Sequence, residues 1–355
     1  MRLSTETVRG VVRGPSSWSS RDMPRRPHIP DALREGHFTR DQARRHGLTD
    51  RQLQSDCWRR LFPGVWAWSE CRLGHDAWVS AASVALPEDA QPTGVTLLRL
   101  LGYDDGSPWF PLHFVIARDH HVHLDGVFLH RTDAMPETGE VGVSPTAAFI
   151  AYCAEATMLE AARAGDWLVA QGHMTIEGLR ETAAAQRWRA GSREARWIAR
   201  QLRPDSRSPE ETSWRLRFVV AGLPEPEVNV SIRDAAGTLI AISDLGFLPW
   251  CTVAEYEGGH HQRDRRQYLV DLQRYADLRR LGIEYVQLTR ETAPVAGVLA
   301  VYRAMCRHGY EGPVPVFVGR WRDLGRCLSR IVRSGGTPST ESALDNVDQL
   351  PPAAG

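Results

Sequence analysis

The sequence predicts an α/β protein built in three segments: a small basic helical front, a mixed middle and a back core of mixed sheet flanked by helices. Three observations carry this. Residues 208–290 read as helix, three strands, helix, strand. Residues 38–68 read as two short helices followed by a hairpin. Charge changes along the chain: 14 Arg against 9 acids in residues 1–76, 7 against 14 in 77–190, and 22 against 20 beyond.

The front begins with residues 1–27, an arm rich in Arg, Ser and Pro whose composition predicts disorder. In the next segment (28–76), Thr39 with Gln42 forms a capping box. The hydroxyl takes an orphan backbone N–H and the amide reaches back. Gly47 suits the end of that helix. Thr49 with Gln52 is a second box and opens a second short helix. Two helices joined by a Gly-containing turn predict a helix-turn-helix. Trp58–Phe62, the turn Pro63-Gly64 and Val65–Trp68 follow as a hairpin, the expected wing. A winged helix with this charge is a DNA-binding candidate. Arg51 is placed to meet a base edge, and Arg44, Arg45, Arg59 and Arg60 to meet phosphates. A solvated basic face on a protein-interaction module is the competing reading. The order of elements resembles the winged helix of AbiEi-type antitoxin and regulator proteins.

The middle (77–200) mixes apolar helical stretches, Ala77–Ala85 and Ala147–Ala170, with strands over His113–Ala117 and Gly126–His130. His120, His121 and His123 form a histidine cluster flanked by Asp119 and Asp125. A metal site needs three or four convergent ligands, so this cluster reads as a polar strand end. His130 and Arg131 close a strand before a long helix, which again resembles the AbiEi-type middle region.

In the back segment (201–310), Ser208 and Pro209 open a helix as N-cap and first-turn proline. Glu211 lies three before Trp214 and seven before Phe218, on the buried stripe. It can act as the cap's glutamate, as a metal-directed carboxylate, or as both. Strands follow over Val228–Ile232, Thr238–Phe247 and Cys251–Tyr256. Ile240, Ile242 and Asp244 share one face by period two, as do Val253, Glu255 and Glu257. A hairpin of the last two strands brings Asp244 and Glu255 together. With Glu211 they make an acidic group that needs a divalent cation, and hard oxygen ligands favour Mg²⁺ or Mn²⁺. Gly258 and Gly259 permit a tight turn, and His261 follows as a general base or ligand. The helix over Arg263–Leu281 carries Arg263, Arg265, Arg266, Arg274 and Arg280 on its polar side, a phosphate track or a solvated face. Ile283–Thr289 closes the sheet. Residues 311–332 form an extension, and 333–355 a flexible tail.

The runs SPEETSWRLR, ISDLGF, VAEYEGGHHQ and YLVDLQRYADLRRLGIEYVQLT resemble the very-short-patch-repair endonuclease-like branch of the PD-(D/E)XK, or restriction-endonuclease-like, superfamily. Actinobacterial proteins that join such a domain to an AbiEi-like front are especially similar. The resemblance implies a restriction-endonuclease-like back domain. Its site would comprise Glu211, Asp244, Glu255, Glu257 and His261, with Glu211, Asp244 and Glu255 on the metal. It also implies Asp271 with Arg274 on the following helix, where Arg263, Arg266 and Arg274 are the candidate DNA contacts. Two positions depart from the pattern: Glu257 stands where Asp is usual, and the motif lysine is absent. All 43 basic residues are Arg, so no lysine can form a Schiff base or clamp phosphate.

The expected function is a Mg²⁺-dependent DNA endonuclease. The alternative is a DNA-binding regulator or antitoxin, with a toxin partner and an inactive nuclease-like domain. Six scattered cysteines without a close pair and no apolar leader suggest a cytoplasmic protein. No apolar run of about 18 residues predicts a membrane span.

Overall fold

A computed structural model describes residues 29–119, 122–257 and 265–334, with backbone alone for 265–272. The amino-terminal arm, the tail beyond residue 334, His120, His121, Gly258, Gly259, His261 and Arg263 lie outside the described residues. Within them the chain is mixed α/β, with twelve α-helices and three small sheets. It divides into two compact units, to Leu73 and from Gly74 onward.

In the first unit, β1 (Phe38–Thr39) leads into α1 (Arg40–Arg45), and β2 (Trp58–Phe62) and β3 (Val65–Trp68) form an antiparallel hairpin. The sheet order is β1-β3-β2. The Thr39–Gln42 capping box is made in both directions. The Thr49–Gln52 pair also closes, at 2.8 and 3.3 Å. The helix expected after it does not form. A single 3-10 turn, Gln52–Gln54, stands there instead. Only Leu53 in that turn is buried, and one apolar anchor cannot hold several helical turns on a core. Leu33, Phe38, Ala43, Leu48, Leu53, Trp58 and Trp66 make the core, with Phe38 edge-on to Trp58 at 5.2 Å.

The second unit opens with α2 (His75–Ala85), β4 (Gln91–Pro92), α3 (Gly94–Leu100), β5 (Leu112–Ile116) and β6 (Val127–Arg131). β4 is antiparallel to β5, and β5 is parallel to β6. Four helices follow: α4 (Pro145–Cys153), α5 (Met158–Ala170), α6 (Ile176–Ala185) and α7 (Ser192–Ile198). The apolar stretch Ala147–Ala170 is therefore two helices. Thr157 and Glu160 form a reciprocal capping box that starts α5 afresh and leaves residues 154–156 as a turn.

Then come α8 (Pro209–Val220), β7 (Glu227–Arg233), β8 (Leu239–Phe247), β9 (Thr252–Glu257), α9 (Arg265–Arg280), β10 (Glu284–Thr289), α10 (Pro294–Arg307), α11 (Arg320–Asp323) and α12 (Leu328–Arg333). The sheet runs β10-β9-β8-β7; β10 is parallel to β9, and the other pairs are antiparallel. Helix α8 serves two cores. Leu216 and Val220 join the larger one, made mostly of middle helices, while Trp214 and Phe218 pack under the four-stranded sheet. Gly297 of α10 lies so close to Trp214 that a Cβ there would sit 2.4 Å from the ring.

Between α5 and α8 lies a buried polar junction. Asp166 accepts from the Arg203 N–H at 2.6 Å, from Thr212 Oγ1 at 2.8 Å and from Arg215 Nη2 at 3.0 Å. Arg215 also donates to the Gln201 carbonyl at 2.8 Å and to Glu225 at 3.1 Å. Among the described residues, no helix is long and apolar enough to cross a membrane.

Candidate functional site

Strands β8 and β9 are joined by a 3-10 turn and a left-handed Cys251, and pair in the register Leu245 with Ala254. The paired register ends there, and the next residues, Asp244 and Glu255, lie close enough that the charge of Asp244 acts on Glu255. Asp244 Oδ2 accepts from the Tyr256 N–H at 2.8 Å. Alternation breaks along β8: Ile242 is exposed, Ala241 packs with Val253, and Leu245 and Phe247 pack with Trp214 and Phe218. Asp244 is half-buried.

Glu255 is buried, because β9 has a neighbour strand on each side. Burial pushes its carboxyl up to about 7 against the pull of Arg274, and Asp244 adds to the rise. Burial also raises Asp244, and Glu211 raises it further. Glu211 thus lies close enough to be felt at Asp244. Its own carboxylate accepts from the Arg207 N–H and from Asn229 Nδ2, both at 2.8 Å. The Ser208 hydroxyl accepts from the Glu211 N–H at 3.1 Å. Only half of the expected capping box is present: the carboxylate turns away from Ser208 and toward β7.

One arginine enters this basin. Arg274 Nη2 of α9 is hydrogen-bonded to Glu255 Oε2. Glu255 Oε1 keeps no hydrogen-bond partner, since Ser243 Oγ lies nearby but outside hydrogen-bonding geometry. Glu211, Asp244 and Glu255 share the basin without bringing three ligand atoms within 4.8 Å of one another.

Glu257 is fully engaged. Its carboxylate accepts from Tyr275 Oη at 2.5 Å, Tyr285 Oη at 2.9 Å and Gln287 Nε2 at 2.6 Å. Burial pulls its pKa up, but the three donors outweigh that and leave it lowered. Asn229 also escaped the sequence reading. Its φ of 51° puts it in the left-handed region that Asn tolerates, and from there its amide holds Glu211. A lone Asn in a strand gives no sequence signal of this.

The candidate DNA-contacting arginines are placed unevenly. Arg44 is exposed but paired with Asp50 at 2.9 Å. Arg59 donates to the Cys71 carbonyl at 2.7 Å. Arg45, Arg51 and Arg60 are exposed. Arg60 lines a cleft with Arg40, Trp58 and Trp66. Arg266 and Asp271 lie on α9 where the backbone alone is described. No family model matches the chain, and neither a curated protein nor a solved structure is significantly similar to it.

Proposed function

We propose that the chain is a Mg²⁺- or Mn²⁺-dependent phosphodiester hydrolase acting on DNA, with Asp244 and Glu255 as the metal-holding pair. One observation carries the reading: a buried carboxylate, Glu255, has an oxygen without a hydrogen-bond partner and a second acid, Asp244, near enough to act on it. Such an oxygen is costly to bury and is relieved by a proton or a cation. Mg²⁺ needs only one or two carboxylates besides water, so the pair suffices as a donor set. A bound ion would polarise the phosphate and lower the pKa of a water molecule.

The chain's own groups supply the rest. Glu211, fixed by Asn229 and the Arg207 N–H, adds negative potential at Asp244. Arg274 balances Glu255, and a cation held there would take its place. Glu257, held anionic by three donors, fixes Tyr275 and Tyr285 and is poorly suited to take up a proton. The proton-accepting role then falls to His261. Arg45, Arg51 and Arg60 provide cations for DNA phosphates and bases.

Purified protein with Mg²⁺ or Mn²⁺ is expected to nick or cut plasmid, linear duplex or single-stranded DNA, and Asp244→Asn and Glu255→Gln to abolish cutting. Intact DNA of every kind defeats the proposal. The Arg274–Glu255 pair favours a second reading, in which the guanidinium replaces the ion for good and the chain is a DNA-binding regulator or antitoxin. That reading expects salt-sensitive gel shifts lost in Arg51→Ala/Arg60→Ala and unchanged in Asp244→Asn.

A further inference from the structure

The three-stranded sheet of the second unit carries a different cluster, formed by residues far apart in sequence. In the parallel pair β5–β6, His113 pairs with Phe128 and Val115 with His130. By strand period, all four side chains lie on one face. His113 Nδ1 is 3.0 Å from His130 Nε2. Glu155, in the turn that separates α4 from α5, reaches both rings. One oxygen is 3.7 Å from His113 Nδ1 and the other 3.9 Å from His130 Nε2. Among the described residues, these three alone bring ligand atoms of His, Cys, Asp or Glu within 4.8 Å of one another.

We infer that His113, His130 and Glu155 form a binding site for a divalent transition-metal ion of the zinc class. Two imidazoles and one carboxylate are a donor set for such ions, and three protein ligands leave a position for water. Around a tetrahedral ion with bonds of about 2.0–2.1 Å, donor atoms stand roughly 3.3 Å apart. The observed separations bracket that value, so small rotations suffice. Burial lowers the pKa of both histidines, and His130, with His113 beside it, falls to about 4. A hydrogen bond between the two rings explains their contact alone; it gives no reason for Glu155 to set one oxygen against each nitrogen.

Access is also built in. His130 and Glu155 line a cleft of about 990 Å³ with Thr132, Arg131 and Trp188. With His113, they line a smaller cavity of about 190 Å³ on another side. The site is therefore not a closed structural centre. Its residues border a cleft large enough for a small molecule.

The test is Zn²⁺ calorimetry on the full chain after chelator treatment, with Co²⁺ absorption as a spectroscopic check. Wild type is expected to bind one equivalent at this site and to gain thermal stability from it. His130→Gln and Glu155→Gln should each weaken binding by about 100-fold, at least as much as the loss of an outer-shell partner costs. Glu155 is half exposed, so its variant keeps the fold even if a histidine variant does not. A His120→Gln/His121→Gln/His123→Gln variant should bind like wild type. Undiminished Zn²⁺ affinity in folded Glu155→Gln or folded His130→Gln overturns the inference. So does binding lost in the triple variant, or no binding in wild type.

Discussion

Arg215 with Asp166 and Arg274 with Glu255 are both arginine–carboxylate pairs in the second unit, yet they are finished to different degrees. In the first pair both side chains are only 1% exposed, and both carboxylate oxygens have donors. In the second, Arg274 is 26% exposed, Glu255 is 7% exposed, and Glu255 Oε1 has no partner. The Nε of both arginines is without a partner, so the difference lies in the carboxylates. A buried carboxylate whose oxygens all have donors is part of the framework. A buried carboxylate with an oxygen left over is open to exchange, because a competing cation can satisfy what the arginine does not. The same residue types thus serve architecture at one place and a candidate site at the other.

The largest expected effect breaks the framework pair. Arg215→Met strands Asp166 in the interior and should lower unfolding free energy by about 3–5 kcal/mol in urea titrations. A loss under about 1 kcal/mol would remove the distinction between the pairs. Next is pH. Burial pushes the Glu255 carboxyl up to about 7 in the folded protein, from an ordinary 4.5. Between those values the folded state holds the extra proton, so stability falls as pH rises from about 4.5 to 7. The fall should be on the order of 1–3 kcal/mol and should vanish in Glu255→Gln. A metal-free wild type whose slope there equals that of the variant refutes it.

The third prediction concerns exchange itself. Arg274→Gln removes the competitor and should tighten Mn²⁺ binding by about tenfold, or about 1.4 kcal/mol; weaker binding would mean that Arg274 helps to build the site. The smallest effect sets the baseline. Asp277 and Arg280 form an exposed pair three residues apart on α9, and Arg280→Ala should change stability by less than about 0.5 kcal/mol.

Local chemistry made much of this legible in the sequence. The hairpin Trp58–Phe62/Val65–Trp68 has the bounds that its aromatic runs and Pro63-Gly64 turn predict. The strand order around Asp244 and Glu255 follows from period two and short connections. What stayed hidden depends on distant contacts. The Thr49–Gln52 box announces a helix start, but nothing local says that the helix stops after one turn. Ile242 is exposed because both faces of β8 are apolar in sequence and only packing decides which positions are covered. His113 and His130 each sit on a strand that the sequence reveals. Their meeting needs the parallel pairing of β5 with β6 and the break between α4 and α5 that presents Glu155.

The chain's last described helix returns to its middle. Met158 and Leu159 donate backbone hydrogen bonds to the carbonyls of Arg326 and Leu324, and Leu328, Ile331 and Val332 complete the larger core. During synthesis, α4 to α7 leave the ribosome long before this cover exists. Their apolar face must wait, exposed, for more than a hundred further residues to be translated. A nascent chain stopped at residue 310 should accordingly bind a hydrophobic dye that the finished protein ignores.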